Sequence, residues 1–313
     1  MSIQKKTTWF LLLLATLFAM GGCVDQSGAG QEEAKSASSI GNEQEGSGGK
    51  EERIVSTSVV ICEILDSLDV DTVVGVPQSD SYELPKGYES AQKIGAPMSP
   101  DLEIISSLNP TCILSPVSLE SSLSEQYGII NIDAYFVDLS STEGMYHSIE
   151  ELGKRLQKEA EAEELIQEYE EFMKEYRNKN QTEESPSVLV LMGLPGSYVV
   201  ATEKSYAGSL VKLAGGRNVY EEEQVEPFLN INPEDMADRN PDMILLTSHA
   251  MPEQVEKMFE EEFAGNDIWK HFEAVQQGRV YTLSNEKFGM SANFKYQEAL
   301  KDLEEILYHK EIQ

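Results

Sequence analysis

A single histidine follows a short apolar segment in the second half of the chain. His249 lies on the loop after the uninterrupted apolar run 243–246, and Pro241 ends the helix that precedes this run. A short, fully apolar run is typical of a strand buried on both faces. Open α/β sheets bind ligands on the loops that leave the carboxyl ends of such strands. The imidazole could therefore contact a ligand, or it could only satisfy a local hydrogen bond.

The segment around His249 has a counterpart earlier in the chain. Residues 100–115 and 233–246 share one pattern, in which a glutamate opens a short helix seven residues before the proline that ends it. The glutamates are Glu103 and Glu234, and an apolar strand follows each proline. An internal repeat of this kind indicates two lobes of like construction. Two such lobes, with their ligand-facing loops turned toward each other, form a cleft.

An irregular loop just before the first of these helices holds Met98 between two prolines. A methionine in such a loop cannot belong to the apolar stripe of a helix. From the residues alone, the favoured interpretation is that Met98 fills the core of its lobe from the side.

The residues before the lobes are typical of an export signal and a linker. Residues 1–22 combine a positive start (Lys5, Lys6) with an apolar stretch too short to span a bilayer, and small residues lead to Cys23. This ending resembles a bacterial lipoprotein box, in which the cysteine is lipidated and becomes the mature N-terminus. A plain secretory signal cut nearby is the alternative. Residues 23–52 are polar and are expected to form a disordered tether.

Composition narrows the classes of partner. The formal net charge of −31 argues against nucleic acid and anionic membrane, because both would be repelled. Cys62 and Cys112 each lie inside an apolar run, so we expect two small core residues rather than a disulfide bridge or a metal site.

The rest of the chain predicts an α/β fold of two Rossmann-like lobes joined by one long rigid helix, with the ligand cleft between them. The N-terminal lobe is expected over 53–147 and the C-terminal lobe over 183–313. Residues 148–182 connect them, since 148–178 contain no proline and place apolar residues mostly three and four apart. About thirty helical residues would span roughly 45 Å. Ser56, Thr57 and Ser58 follow the first strand and open a helix, where backbone N–H groups favour carboxylates.

Five motifs carry a resemblance to a known family. They are IGAPM (94–98), GLPGSYVVAT (193–202), LAGG (213–216), HAMPE (249–253) and DIWKHF (267–272). Together with the two-lobe pattern they resemble the IsdE family of haem-receptor lipoproteins, from about residue 53 to the C-terminus. That family belongs to the ABC-importer substrate-binding proteins that carry siderophores, cobalamin and haem.

The resemblance implies a receptor rather than an enzyme. Its expected ligand is haem b (iron protoporphyrin IX), which it would accept from upstream surface haem-relay proteins and deliver to an ABC-transporter permease. The expected location is the extracellular face of a Gram-positive cell membrane, held there by the lipid anchor, and we expect a monomer.

The resemblance also assigns roles to residues. In this family a methionine of the first lobe and a histidine of the second ligate the haem iron from opposite faces, and the matching positions are Met98 and His249. A thioether and an imidazole are a standard axial pair. Independently of the resemblance, the preference of helix N-termini for carboxylates places the haem propionates at Ser56, Thr57 and Ser58.

Bulky residues in the second lobe are candidates for covering the porphyrin, or equally for ordinary core. They are Tyr198, Phe288, Met290 and Phe294.

The paired glutamates match positions that contact the transporter in related binding proteins. There, a glutamate from each lobe pairs with arginines of the permease, as Glu103 and Glu234 would here. The alternative is that each only favours its helix dipole. The other histidines, His147, His271 and His309, are expected to be structural or surface residues.

Two other functions are weighed against haem. The first is an iron siderophore or cobalamin receptor of the same importer class. The second is an exported metal-dependent enzyme, which is disfavoured by the presence of only four histidines and by the absence of a nucleophile elbow and of a carboxylate-rich metal motif.

Overall fold

The computed structural model describes residues 52–79, 82–180, 185–221, 226–230 and 232–308. The predicted signal, the lipidation site Cys23, almost all of the tether and His309 lie outside these residues. None of the described helices is both long and apolar enough to cross a membrane.

The first sheet is entirely parallel. Its part of the chain contains the strands β1 (Ile54–Ser56), β2 (Val73–Val76), β3 (Gln92–Lys93), β4 (Gly95–Ala96), β5 (Ser99–Pro100), β6 (Cys112–Pro116) and β7 (Ala134–Val137), with the helices α1 (Val59–Ser67), α2 (Leu102–Ser107) and α3 (Glu120–Ile129). The sheet order is β3-β2-β1-β6-β7, and β4 and β5 form a separate hairpin. The chain leaves β1 toward β2 and later returns on the other side at β6. The strand order therefore reverses beside β1, and in open α/β sheets ligands bind at such a switch point, outside the carboxyl ends of the strands.

Two helices follow the first sheet, α4 (Thr142–Leu156) and α5 (Glu159–Lys179). The sequence pattern predicted one helix here, and that prediction is wrong, because Gln157 takes a left-handed conformation (φ 58°, ψ 41°) and ends α4. The helices then fold back on each other, and Tyr146 stacks on Tyr169 with ring centroids 4.2 Å apart. Both halves are amphipathic, so the apolar spacing continues across the break and gives no sign of it. The 21 residues of α5 span about 30 Å.

The second sheet is mixed. Its strands are β8 (Ser187–Leu194), β9 (Ser197–Ala201), β10 (Arg217–Asn218), β11 (Phe228–Leu229), β12 (Met243–Ser248) and β13 (Val280–Thr282). Its helices are α6 (Tyr206–Leu213), α7 (Pro233–Asp238), α8 (Pro252–Gly265), α9 (Glu273–Gln276), α10 (Asn285–Phe288) and α11 (Tyr296–Tyr308). The order is β11-β9-β8-β12-β13, with β10 beside β8. β12 runs parallel to β8 and β13, whereas β8 and β9 form an antiparallel hairpin. The predicted α/β fold of two lobes is confirmed.

The internal repeat is present in the structure. α2 and α7 are each six residues long, and each begins after a capping side chain, Asp101 or Asn232, that accepts a backbone N–H of the first turn. Each is followed by an asparagine with positive φ, 47° at Asn109 and 41° at Asn240. Asparagine tolerates this left-handed conformation better than most residues. The next strand then starts within three residues, as β6 or β12.

The helical hairpin of α4 and α5 packs against the last helix. The ring of Tyr296 in α11 makes edge contacts with Tyr146, Tyr169 and Phe172, at centroid distances of 6.0, 5.8 and 5.6 Å. Nearby, the backbone N–H of Ala292 donates to the Leu139 carbonyl at 2.8 Å. One buried aromatic cluster therefore joins the segment after the first sheet to the end of the chain.

Candidate ligand-binding site

His249 follows β12 directly, because the strand extends to Ser248 and not only to residue 246. Its backbone N–H donates to the Gly193 carbonyl at 3.1 Å, at the end of the neighbouring strand β8. The side chain is half-buried, and no residue of the described chain forms a hydrogen bond with the imidazole. Burial lowers its pKa below the ordinary 6.5. The imidazole is therefore neutral near pH 7, which is the form that ligates metals.

Met98 lies in the turn between β4 and β5. The hairpin pairs Gly95 with Pro100 and Ala96 with Ser99, which leaves Met98 at its tip. Its side chain is 69% exposed, so the interpretation that it fills the core is wrong. The hairpin is itself held to the lobe, since the backbone N–H of Gln78, just after β2, donates to the Gly95 carbonyl at 2.8 Å. A thioether is thus presented on a short, supported turn.

Ser56, Thr57 and Ser58 lie at the carboxyl end of β1, where the strand order reverses, and all three are buried. The backbone N–H of Thr57 donates to the Leu114 carbonyl at 3.0 Å, and that of Ser58 to the Ser56 hydroxyl at 3.4 Å. The Thr57 hydroxyl donates to the Ser115 hydroxyl at 2.9 Å. Ser58 is the N-cap residue of α1, but its side chain makes no capping hydrogen bond, so the predicted capping of this helix by a hydroxyl is not seen.

The unused N–H groups of this helix belong to the next three residues. Val59, Val60 and Ile61 form the first turn of α1, where no intrahelical acceptor exists. No acceptor for them is found in the described part of the chain. An anion at this helix end would therefore meet the amides of these residues rather than those of Thr57 and Ser58.

The candidates for covering a porphyrin separate into core and surface. Phe288 is 1% exposed, and its carbonyl accepts the Thr247 hydroxyl at 2.8 Å. It is a core residue, so its assignment to the cover is wrong. Met290 and Phe294 are half-buried and pack on the edge of the same core.

Tyr198 lies partly in the core and partly at the surface. Its ring contacts Phe259 and Trp269, at centroid distances of 5.8 and 6.2 Å. Its hydroxyl donates to the Glu262 Oε1 atom at 3.2 Å, and Trp269 Nε1 donates to the same oxygen at 3.0 Å. These contacts fix a half-buried ring beside Gly193, its partner in the hairpin of β8 and β9.

Two further residues lie between the lobes and were not singled out in the sequence. The hydroxyl of Tyr82, from the loop after β2, donates to the Asn285 carbonyl of α10 at 3.3 Å. Glu63 on α1 has a pKa above its ordinary value, because burial raises it more than the charge of Lys295 lowers it. An aromatic residue in a loop and a glutamate on a helix are common, so neither carried a signal in the sequence.

Glu103 and Glu234 are both exposed, and each is the second residue of its helix. The caps Asp101 and Asn232 already accept N–H groups of the first turns, so neither glutamate is needed as a cap. Neither carboxylate forms an ion pair with another described residue.

The remaining candidates are structural. Cys62 and Cys112 are free and buried, as predicted, and burial raises the pKa of Cys62 to about 12. His147 and His271 are exposed on helical turns.

The chain is similar to proteins of a known family over most of its length. The family model described as periplasmic binding protein matches residues 54–286. The chain belongs to this family. Members of the family bind substrates for transport and are not enzymes.

Individual proteins within this class are similar to the chain over most of its length. The high-affinity heme uptake system protein IsdE of Staphylococcus aureus (strain Newman) is 38% identical over 301 residues, which cover 96% of this chain and 97% of that protein. The structure of S. aureus IsdE complexed with heme matches with a TM-score of 0.78 and 41% identity, over 82% of this chain and 99% of that chain. An ABC transporter substrate-binding protein of Listeria monocytogenes EGD-e matches with a TM-score of 0.77 and 44% identity, over 83% and 100% of the two chains.

Proposed function

We propose that this periplasmic binding protein binds haem b and delivers it to an ABC permease, with Met98 and His249 as the axial ligands of the iron. The observation that carries the proposal is that both side chains are available to a ligand. An accessible thioether lies on the first lobe, and a neutral imidazole without a hydrogen-bond partner in the described chain lies on the second. The likeness to S. aureus IsdE, whose structure contains heme, supports the same ligand.

The two ligands suit haem iron for different reasons. Neutral imidazole is a strong nitrogen ligand, and His249 has no internal acceptor from which it must first be released. Thioether sulfur is a weaker and more polarizable ligand, and the exposed, flexible side chain of Met98 can adjust to the iron. The iron would be held mainly by His249.

The rest of the porphyrin also finds suitable partners. The propionates would accept hydrogen bonds from the amides of Val59, Val60 and Ile61 at the start of α1, where the helix dipole favours negative charge. Met290, Phe294 and the ring of Tyr198 offer half-buried apolar surface for the macrocycle.

Absorption spectroscopy tests the ligand class. Purified protein mixed with haemin is expected to show a Soret band and the split visible bands of low-spin, six-coordinate iron. No change in the haemin spectrum would contradict the proposal. That result would favour the other ligands of this importer class, an iron siderophore or cobalamin.

Substitution of each ligand tests the assignment of residues. His249→Ala is expected to fold but to lose haem or hold it loosely, because the remaining thioether is a weak ligand. Met98→Ala should have a smaller effect, since water or another residue can fill the open position. His147→Ala is the matched control, because its side chain is 71% exposed and, among the described residues, forms an ion pair only with Glu150. An unchanged low-spin spectrum of His249→Ala would show that another residue ligates the iron.

The location and partners complete the proposal. Removal of residues 1–22 and lipidation of Cys23 would hold the protein on the outer face of the membrane. Residues 23–52 would act as the tether. The protein would receive haem there from surface relay proteins and act as a monomer. It would present Glu103 and Glu234 to arginines of the permease.

A further inference from the structure

Met251 stands two residues after His249, in a conformation and an environment that its residue type disfavours. Its backbone is left-handed, with φ 52° and ψ 55°, immediately before the first residue of α8. Its side chain is 46% exposed, although methionine is usually an interior residue. The axial pair proposed above does not use it.

The backbone conformation sets Met251 apart from residues with similar geometry. Within the described ranges, the other non-glycine residues with positive φ are all polar: Asp69, Asn109, Asn131, Gln157 and Asn240. Asparagine and aspartate tolerate this region because their short side chains hydrogen-bond locally. Met251 has no such compensation, and its side chain makes no capping hydrogen bond. Strain of this kind is concentrated at ligand sites, where it holds a side chain in a required position.

The exposure of the side chain points to the same site. In the part of the chain that the structure describes, large apolar side chains are exposed at four positions, Met98, Val117, Ile129 and Met251. Two of the four are methionines on ligand-facing loops, one on each lobe. Methionine is flexible and polarizable, so it adapts to a broad, flat apolar surface such as a porphyrin.

We infer that Met251 packs against the porphyrin on the same side as His249, as an apolar contact that does not ligate the iron. This inference rests on the proposed haem-binding function. At this left-handed position before α8, the side chain is exposed to solvent. Haem would then cover the apolar surface that the free protein leaves exposed, and the gain would offset the strained backbone.

The substitution Met251→Gly separates this role from a structural one. Glycine adopts positive φ without strain and is accepted at helix N-caps, so the haem-free variant should melt at or above the wild-type temperature. The same variant should release haem to excess apomyoglobin about fivefold faster, because about half of a methionine side chain is no longer covered. Its low-spin spectrum should be unchanged, since both axial ligands are retained.

Two control variants make the result specific. Met251→Leu keeps an apolar side chain of similar volume without the sulfur, so its release rate should stay near wild type. Ile129→Ser removes the most exposed of the four apolar side chains, at the end of α3, and should leave release unchanged.

The outcomes distinguish this inference from the function on which it rests. If the wild-type protein does not bind haemin, the proposed function fails. If it binds haemin and Met251→Gly releases it at the wild-type rate, only the contact is overturned. A lowered melting temperature of Met251→Gly would indicate a structural role, and fast release by Met251→Leu would indicate ligation by the sulfur. Either result also overturns the contact.

Discussion

At His249, the backbone is fixed and the side chain is left free. The N–H bond to Gly193 anchors the residue to the neighbouring strand, while the imidazole has no hydrogen-bond partner in the described chain. Partial burial makes the charged form costly, so the neutral form persists below the usual pKa of histidine. A ligand that binds this site therefore competes with neither a proton near pH 7 nor an internal hydrogen bond.

The pH dependence of the haem-free protein follows from this burial. Because the folded pKa of His249 lies below 6.5, the unfolded state binds this proton first as the pH falls. The stability that this residue contributes should be fully present above pH 6.5 and be lost as the pH falls through the folded pKa. An NMR titration of the imidazole in the haem-free protein should give a midpoint below 6.5.

Urea unfolding gives the matched measurement. Between pH 7.5 and 5.5, the wild-type protein should lose more stability than His249→Gln, which lacks the titrating group. Equal losses in the two proteins, or a midpoint above 6.5, would contradict the role of burial.

The site was only partly predictable from residue types and spacing. His249 could be located from the strand before it and from the internal repeat, because both are local patterns. The burial of Phe288 and the bond that occupies the amide of Thr57 depend on β12, on β6 and on their loops. These contacts join residues about forty to sixty positions apart, so no local pattern records them.

At the level of elements, the break between α4 and α5 determines how the middle of the chain packs. The helices approach closely at Gly153, where an added Cβ would lie 2.5 Å from the Ala162 Cβ and 3.1 Å from the Lys158 carbonyl oxygen. The sequence correctly indicated that this segment is helical and amphipathic, but it did not indicate that α5 folds back on α4. Neither proline nor glycine occupies position 157, and the contacts that accompany the fold-back, such as the stack of Tyr146 on Tyr169, join residues of two different helices.

Substitution of Gly153 tests the closeness of this packing. Gly153→Ala should destabilise the protein by about 1–3 kcal/mol through overpacking, even though alanine favours helix by up to about 1 kcal/mol. Gly128→Ala is the control, since this glycine lies in α3 with no atom within 4 Å of an added Cβ, and it should be neutral or stabilising. Midpoints of urea unfolding measure both. A Gly153→Ala protein as stable as Gly128→Ala would mean that the two helices do not pack as described.

For the whole molecule, the repeat and the charge together define the surface offered to a partner. The two lobes carry matching short helices, and each helix presents an exposed glutamate that its own cap does not require. The formal net charge of −31 repels anionic surfaces and favours a cationic partner. The repeat itself was predictable, because a glutamate, a proline seven residues later and an apolar strand recur in the same order.

The double variant Glu103→Ala with Glu234→Ala tests whether these helices dock on the permease. A glutamate in the first turn contributes about 0.3–1 kcal/mol through the helix dipole, so the variant should melt within a few degrees of wild type. Haem binding should be unchanged, because neither residue belongs to the proposed haem site. Uptake of haem by cells should fail, since charges at the edge of an interface control the rate and salt dependence of docking.

A variant with the same change in charge provides the comparison. Glu164→Ala with Glu168→Ala removes two exposed carboxylates of α5, which the repeat does not contain, and should support normal uptake. The assay is growth on haemin as the iron source, in cells whose own copy of this protein has been replaced by each variant. If the double variant of α2 and α7 also grows normally, the dipole alone explains the two glutamates. If both double variants fail, the requirement is for negative charge in general rather than for these two helices.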